Sequence, residues 1–277
     1  MELRELGDTG VMIPEVGLGT WKYRGGPEPL RRGIDLGAFL IDTAEIYGSE
    51  PTVGEAIRGR RADVFVATKV SGEHLRPAQV RRAADESLKH LGIETIDLFQ
   101  IHWPDPKVPI GETMGAMEDL VDAGKVRFIG VSNFSRRQFE EAQAAMTRHR
   151  IVANQLEFSL TERRIDQEIE TFYGPNRITV IAYSSFAEGE LFRGRSLGVL
   201  QDVADEAGKT AAQVALNWCL SRPAVVTIPK SDRAERVAEN CGASGWRLTP
   251  EQVAKLESAL AANGRHASAD VDWQEQP

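Results

Sequence analysis

Cysteine is scarce in this chain of 277 residues, which contains only Cys219 and Cys241. Neither has the spacing of a disulfide framework or of a zinc site, so we expect no bound metal. Cys219 lies in an apolar helical pattern, which predicts a buried free thiol. Long apolar runs are missing too, because no stretch approaches the about 18 consecutive apolar residues of a membrane-spanning helix. The sequence therefore predicts a protein without disulfide bonds and without a membrane span.

The chain also lacks any long run of charges of one sign. It has 33 lysines and arginines against 41 aspartates and glutamates, and the two signs are interleaved around a net charge of −8. A nucleic-acid-binding protein would show a basic patch, and none is visible. The start, Met-Glu-Leu-Arg-Glu-Leu, lacks the basic and then apolar order of a secretion signal. We therefore expect a soluble, cytoplasmic protein with neither nucleic acid nor a membrane as a partner.

Short apolar runs alternate with helical patterns along most of the chain. After a predicted hairpin over residues 3–13, the runs lie at residues 15–19, 39–41, 64–67, 96–101, 126–131, 151–153, 178–182 and 224–228. Most are nearly continuous in apolar residues, as is typical of strands buried on both faces of a parallel sheet. Eight units of strand and helix with mostly short connections favour a closed barrel over an open sheet. The predicted fold is an α/β protein, a (β/α)8 or TIM barrel with an N-terminal β-hairpin.

Two features lie outside the regular alternation of strands and helices. A capping box at residues 249–252 predicts an additional C-terminal helix after the eighth unit. The longest connection, between the seventh and eighth strands, is predicted to hold an extra loop at about residues 185–196 before its helix. No linker between domains is visible, so we expect a single domain over residues 1–277. Its polar tail after Gly264 is expected to be disordered.

Polar residues follow the predicted strands at the end where barrel enzymes carry their active sites. They are Asp42, Tyr47, Lys69, His102, Ser132, Asn133, Asn154, Gln155, Tyr183, Ser184, Lys230 and Ser231. Each alone has a structural explanation, such as a helix cap, a turn or a solvated strand end. Four residues of types that work together, at three successive strand ends, are a much rarer coincidence. We therefore predict a functional site at this rim.

The quartet of Asp42, Tyr47, Lys69 and His102 suits proton transfer by a phenol. A free tyrosine has a pKa of about 10, which is poorly matched to neutral pH. A nearby lysine cation is expected to lower that pKa, and Asp42 to hold the lysine charged and in place. His102 is suited to donating a hydrogen bond to the same substrate oxygen. The sequence offers no metal site or redox centre that would supply a hydride, so a bound cofactor must supply it.

With these residues in view, the sequence resembles the aldo-keto reductases along nearly all its length. The matching segments, in the family's order, are GLGTW at 17–21, DTAEIYG at 42–48, ATKV at 67–70, IHWP at 101–104, GVSNF at 130–134, NQ at 154–155, AYS at 182–184, IPKS at 228–231, and Arg236 followed by Glu239 and Asn240. The resemblance implies reduction of aldehydes and ketones to alcohols by hydride transfer from NADPH. It implies a catalytic tetrad of Asp42, Tyr47, Lys69 and His102, with Tyr47 as the general acid.

The resemblance also implies which residues bind the cofactor. They are Gly19, Thr20, Ser132, Asn133, Gln155, Tyr183, Ser184, Lys230, Ser231, Arg236, Glu239 and Asn240. Of these, Ser132, Asn133 and Gln155 are implied to hold the nicotinamide carboxamide, and Tyr183 to stack on its ring. Residues 17–22 do not form the three-glycine fingerprint of a Rossmann fold, so a dinucleotide must bind in the manner of a barrel.

The family's clamp for the adenosine 2′-phosphate falls on Lys230, Ser231 and Arg236. A phosphate dianion suits a guanidinium, an ammonium and a hydroxyl at a helix start. The resemblance therefore implies NADPH and NADP+ more than NADH, with Glu239 and Asn240 near the adenine. It also implies that the substrate pocket is lined by Trp21 and Trp103.

One segment departs from the family's pattern on the cofactor side. Residues 184–186 read Ser-Ser-Phe where many relatives have Ser-Pro-Leu. The loop that follows carries Glu188 and Glu190, whose carboxylates would repel a pyrophosphate. We expect them to point outward or to pair with Arg193 or Arg195.

Two other functions remain open from the residues alone. A barrel aldolase would use Lys69 as an amine nucleophile, which needs a lowered pKa and an apolar setting. Asp42 is expected to raise that pKa instead. A nucleotide-binding redox-sensing subunit of the same fold would keep the cofactor site and lack turnover. We expect a monomeric enzyme that acts on a small-molecule carbonyl substrate.

Overall fold

The structure, a computed structural model, describes residues 1–260 of the chain. The sequence predicts a disordered tail after Gly264, and that tail lies outside the described residues. Eight parallel strands form the centre of the fold, each paired with its neighbours in chain order. They are β3 (Leu18–Gly19), β4 (Leu40–Asp42), β5 (Phe65–Val70), β6 (Ile96–Ile101), β7 (Val126–Ser132), β8 (Ile151–Glu157), β9 (Thr179–Tyr183) and β10 (Val225–Thr227).

The first and last strands of this sheet meet and close it. Isolated parallel bridges join Val16 to Thr227 and Gly19 to Lys230. The backbone N–H of Gly17 donates to the Thr227 carbonyl at 2.7 Å, and the Thr227 N–H donates to the Glu15 carbonyl at 2.8 Å. The predicted (β/α)8 barrel is confirmed.

A two-stranded antiparallel hairpin precedes the barrel, as the sequence predicts. Its strands are β1 (Leu3–Glu5) and β2 (Met12–Pro14). Gly7 has a φ of +56°, and a Cβ there would lie 2.9 Å from the Val152 carbonyl oxygen, so glycine lets the turn approach the start of β8. Leu6 and Ile13 are fully buried among the apolar residues inside the barrel. The hairpin therefore covers the N-terminal end of the barrel and leaves the opposite end open.

Ten helices surround the strands in the described residues. They are α1 (Pro27–Asp35), α2 (Glu50–Ile57), α3 (Pro77–Leu91), α4 (Ile110–Asp122), α5 (Arg136–Ala144), α6 (Asp166–Glu168, continued by a π-helical turn at Ile169–Tyr173), α7 (Gly194–Ala207), α8 (Ala211–Leu220), α9 (Ala234–Cys241) and α10 (Pro250–Ala259). The predicted C-terminal helix is α10, and Thr249 and Gln252 form its capping box. No helix of the described residues is long and apolar enough to cross a membrane.

The connection between β9 and β10 differs from the prediction. It contains two helices, α7 and α8, where the sequence predicts one helix after a loop at residues 185–196. The first of them begins at Gly194, inside the predicted loop. Only Leu200, Val203 and Ala204 of its 14 residues are buried, so the helix shows too narrow an apolar stripe to be recognised.

The barrel interior changes from apolar to polar toward its open end. Leu40, Ala67 and Leu98 belong to one buried cluster that also includes the hairpin side chains. Since side chains alternate along a strand, the next residue facing the interior lies two positions further on. These residues are Asp42, Lys69 and Gln100, and all three are buried. Polar groups therefore collect at the C-terminal ends of the strands.

Candidate active site

A cleft of about 610 Å³ opens at the C-terminal ends of the strands, within the size range of small-molecule sites. Most of the residues predicted from the sequence line it. They are Gly19, Thr20, Trp21, Asp42, Tyr47, His102, Trp103, Ser132, Asn133, Gln155, Tyr183, Ser184, Lys230 and Arg236. Lys69, Ser231, Glu239 and Asn240 are not among the lining residues.

A buried ion pair lies at the bottom of the cleft. The Lys69 amine donates to Asp42 Oδ2 at 2.7 Å and to the Thr43 carbonyl oxygen at 2.8 Å. The Lys69 side chain is completely buried. Burial lowers the pKa of its amine, and the Asp42 carboxylate opposes that effect. With its charge paired and no surface on the cleft, the amine is not placed to attack a substrate carbonyl.

Tyr47 lies in a single 3-10 turn, Glu45–Tyr47, which follows β4 and ends at Gly48 with a φ of +68°. Its hydroxyl lies 3.3 Å from Nε2 of His102, within hydrogen-bonding distance. The Lys69 amine lies 5.0 Å from the centroid of the phenol ring. The ring is also 4.9 Å from that of Trp21, which lines the cleft and is 49% exposed. The phenol thus lies between the buried lysine and the open cleft.

The pKa of Tyr47 moves in the direction opposite to the expected one. Burial raises the pKa of the phenol, and the charge of Asp42 raises it further. The predicted net lowering of this pKa is wrong, because burial of the phenol is the largest effect and the lysine amine donates its hydrogen bonds to Asp42 and Thr43 rather than to the phenol. Tyr47 is therefore a protonated phenol at neutral pH.

His102 is a neutral imidazole next to that phenol. Burial and the nearby Lys69 charge lower the pKa of His102 to about 3. Its backbone N–H donates to the Val70 carbonyl at 2.9 Å, and its carbonyl oxygen accepts from the Asn133 amide at 3.0 Å. These two bonds fix the residue at the end of β6. A neutral ring can donate one hydrogen bond from Nε2 without carrying charge.

The predicted nicotinamide-binding residues are bonded to one another. The Asn133 amide donates to Ser132 Oγ at 3.1 Å, and the Tyr183 hydroxyl donates to Asn133 Oδ1 at 2.8 Å. Ser132 in turn donates to the Gln155 carbonyl oxygen at 3.0 Å, while the Gln155 amide donates to Asp42 Oδ1 at 2.7 Å. Asn133 has a φ of +60°, a conformation that asparagine tolerates better than most residues. This network joins the predicted cofactor residues to the ion pair.

Lys230 and Arg236 line the end of the cleft where α9 begins. Arg236 has no ion pair or hydrogen bond with another residue in the range 1–260, so its guanidinium is available to an anion. Lys230 instead forms an ion pair with Asp232. Ser231 Oγ accepts a hydrogen bond from the Arg233 N–H at 3.2 Å, just before the helix.

The loop after β9 lies beside the cleft in a tight conformation. Ser184, Ala187 and Glu188 all have positive φ angles between 47° and 51°. Glu188 lines the cleft, whereas Glu190 does not. The expected pairing of these carboxylates with Arg193 or Arg195 is not found among the ion pairs of the described residues.

Sequence reasoning missed several residues that shape the site. Gln100 Nε2 reaches Asp42 Oδ1 at 3.5 Å. Glu45 accepts hydrogen bonds from the Ser71 N–H and from Nδ1 of His74, and so ties the Tyr47 turn to the end of β5. The alternation of Leu98 and Gln100 along β6 could have indicated that Gln100 faces Asp42. Nothing in the local sequence indicates the contacts of Glu45. Further residues that line the cleft are Ile46, Glu157, Ser185, Phe186, Gly189, Phe192, Ile228 and Pro229.

Known proteins are similar to this chain in sequence and in architecture. The family model described as "Aldo/keto reductase family" matches residues 15–261. The chain is 33% identical to aldo-keto reductase YhdN of Bacillus subtilis, over 94% of each chain. It is also 33% identical to methylglyoxal reductase YeaE of Escherichia coli, over 94% of this chain and 96% of that one. An aldo-keto reductase from Klebsiella pneumoniae, solved in complex with NADPH, has a TM-score of 0.88 at 31% identity and covers 98% of this chain and 100% of its own.

Proposed function

The chain belongs to the aldo/keto reductase family, and we propose that it reduces aldehydes and ketones to alcohols with NADPH as the hydride donor. The observation that carries this proposal is the contact of 3.3 Å between the Tyr47 hydroxyl and Nε2 of His102, beside the buried pair of Lys69 and Asp42. A protonated phenol and a neutral imidazole directed at one place suit an oxygen that gains a proton.

The cleft fits a dinucleotide at both ends. Arg236, which has no partner among the described residues, suits an adenosine phosphate. At the other end, the hydroxyl and amide groups of Ser132, Asn133 and Gln155 suit a carboxamide, and Tyr183 offers an aromatic face. The NADPH complex of the Klebsiella pneumoniae relative supports the same cofactor. When bound, NADPH supplies the hydride that the carbonyl carbon accepts.

The chain's own residues handle the proton. The Tyr47 hydroxyl holds a proton at neutral pH, since an ordinary phenol has a pKa of about 10 and burial raises the pKa of this one further. His102 donates a hydrogen bond from Nε2 to the carbonyl oxygen and so orients it toward that hydroxyl. As negative charge develops on the oxygen, Tyr47 transfers its proton to it. The Lys69 ammonium, 5.0 Å from the ring, stabilises the phenolate that remains.

The cleft mouth favours small or flat carbonyl compounds with an apolar side. Trp21, Trp103 and Ile46 line it, and both Trp21 and Ile46 are about half exposed. Such a mouth gives apolar contact without enclosing the ligand. The methylglyoxal reductase among the relatives makes small dicarbonyl compounds a reasonable first choice of substrate.

Two alternatives differ from this proposal in what they require. An aldolase needs a lysine that reaches the substrate, and the Lys69 amine is buried and paired with Asp42. A redox-sensing subunit would bind NADPH through the same residues and show no turnover. Steady-state turnover therefore separates the sensor from the reductase.

The test is to follow the loss of NADPH absorbance with wild-type protein and a panel of aromatic, aliphatic and dicarbonyl compounds. Parallel reactions with NADH measure the cofactor preference, and the alcohol product is identified by chromatography. We expect one alcohol formed per NADPH consumed. Tight NADPH binding without turnover on any carbonyl would favour the sensor. Absence of binding by either nucleotide would overturn the proposal.

A further inference from the structure

A carboxylate lies beside one of the two cations that line the proposed cofactor site. Asp232 follows Lys230 by two residues, and Asp232 Oδ2 forms an ion pair with the Lys230 amine. Their side chains are 37% and 31% exposed, so water screens this pair only in part. Of the two cations that line this end of the cleft, only Arg236 remains without a partner among residues 1–260. The positive charge offered to a phosphate is smaller than the two cations suggest.

The Asp232 carboxylate is fixed in this position by a second loop. Asp232 Oδ1 accepts a hydrogen bond of 2.8 Å from the Arg24 N–H, in the loop that follows β3. The two loops are in close contact at Gly25, where a Cβ would lie 2.7 Å from the Asp232 carbonyl oxygen and 2.8 Å from its Cα. The carboxylate therefore cannot turn away from Lys230 without breaking its link to the loop after β3.

Asp232 carries its negative charge at neutral pH. Burial raises the pKa of the carboxyl, but the hydrogen bond from the Arg24 N–H and the charge of Lys230 outweigh it and leave the pKa below its usual value. A fixed negative charge beside Lys230 repels an incoming phosphate dianion and also competes with it for the lysine.

We propose that Asp232 is a residue that sets cofactor specificity, by weakening the preference for the 2′-phosphate so that the enzyme uses NADH as well as NADPH. This inference rests on the proposed function, since it concerns the same nucleotide site. A carboxylate repels a 2′-phosphate but accepts a hydrogen bond from a free ribose 2′-hydroxyl, which is how acidic residues favour NAD in other dinucleotide sites. Arg236 and Ser231 still suit a phosphate, so NADPH remains a ligand.

The test compares nucleotide binding rather than activity. Dissociation constants for NADP+ and NAD+ are measured by calorimetry for wild type and for Asp232→Asn. Asparagine keeps an oxygen that can accept from the Arg24 N–H, so the variant removes the charge while keeping the loop contact. We expect the NADP+ dissociation constant to fall by roughly three- to tenfold, with that for NAD+ unchanged or higher.

The matched control is Glu235→Gln, which removes the same charge from the first turn of α9. Glu235 is 80% exposed and lies 3.8 Å from Arg233, so its removal should change the ratio of the two dissociation constants by less than about twofold. Asp232→Ser, which also removes the carboxylate, is measured as a second variant.

The possible results distinguish failure of this inference from failure of the proposed function. A ratio of NAD+ to NADP+ dissociation constants that rises in both Asp232 variants and not in the control supports the inference. A ratio that stays within about twofold of wild type overturns it. A ratio that falls also overturns it and shows that Asp232 holds Lys230 ready for the phosphate. If wild type binds neither nucleotide, the proposed function itself fails.

Discussion

The side-chain amide of Gln155 donates a hydrogen bond of 2.7 Å to Oδ1 of Asp42, across the barrel interior from β8 to β4. The other oxygen of that carboxylate accepts from Lys69 at 2.7 Å. A residue expected to bind nicotinamide therefore also satisfies the carboxylate of the proposed tetrad. The predicted cofactor residues and the tetrad form one buried network, so a substitution in either group should alter the hydrogen bonds of the other.

Gln155→Leu should destabilise the protein through that carboxylate. The substitution leaves Asp42 Oδ1 with only the contact of 3.5 Å from Gln100, so a buried charged acceptor loses its good partner. We expect a loss of about 1–3 kcal/mol in the free energy of unfolding, measured by urea denaturation. The same change at exposed Gln201 should cost less than about 0.5 kcal/mol. Equal stability of the two variants would show that the Gln155 bond contributes little.

Lys69→Met should be far more damaging, because it leaves Asp42 buried without a counter-charge. The expected cost is about 3–5 kcal/mol in the free energy of unfolding. Adding Asp42→Asn removes the stranded charge and should recover part of the loss, so the double variant should be more stable than the single one. If the double variant is no more stable than Lys69→Met, the cost arises from packing and not from an unpaired charge.

All four tyrosines of the chain should stay protonated in the folded protein. Burial is the largest cause that raises the pKa of Tyr23, Tyr47, Tyr173 and Tyr183. The unfolded chain loses these protons near pH of about 10 and the folded chain does not, so stability should fall as pH rises above that value.

The measurement is a titration of tyrosinate absorbance, with circular dichroism to follow the fold. We expect absorbance to rise only together with unfolding. The contrary result is one tyrosine that ionises below pH of about 9 in the folded protein, with this ionisation absent from Tyr47→Phe. It would mean that Lys69 does lower the pKa of the phenol.

His102 should make the protein less stable in mild acid. Its folded pKa is lowered to about 3, against about 6.5 in the unfolded chain. Between these values the unfolded state binds a proton that the folded state does not. Stability contributed by the neutral ring is therefore complete above about pH 6.5 and is lost as pH falls toward 3.

Urea denaturation of wild type and His102→Gln between about pH 7 and 4.5 measures this effect. The free energy of unfolding of wild type should decrease more steeply than that of the variant, by up to about 1.4 kcal/mol per pH unit. Parallel curves would show that His102 titrates normally in the folded protein.

Much of the fold follows from local patterns in the sequence. Runs such as residues 96–101 carry apolar residues on both faces, and this run forms β6 with the predicted bounds. The capping box at Thr249 marked the start of α10 because its two hydrogen bonds depend on residues three apart. The helix α7 was missed because its apolar stripe is narrow and its packing partners are distant in the chain.

The site was predictable in its residue types and less so in its electrostatics. Strand ends meet at one rim in any barrel, so residues such as Tyr47 and His102 could be placed together from sequence order alone. The direction of the Tyr47 pKa shift depends on burial and on where the Lys69 amine points. Neither can be inferred from the neighbouring residues in the sequence. Asp232 follows Lys230 by two residues in the sequence. Only the contact with the Arg24 N–H shows that its carboxylate is held next to the lysine amine.

The most direct test of the central claim is a comparison of wild type with Tyr47→Phe, each preloaded with NADPH and mixed with an aldehyde that wild type reduces. The rate of NADPH oxidation is followed, and NADP+ affinity is measured separately. We predict a rate lower by about 10²- to 10⁴-fold in Tyr47→Phe, with NADP+ affinity unchanged, because only the proton donor is removed. Turnover by Tyr47→Phe at a rate near that of wild type would contradict the assignment of Tyr47 as the proton donor.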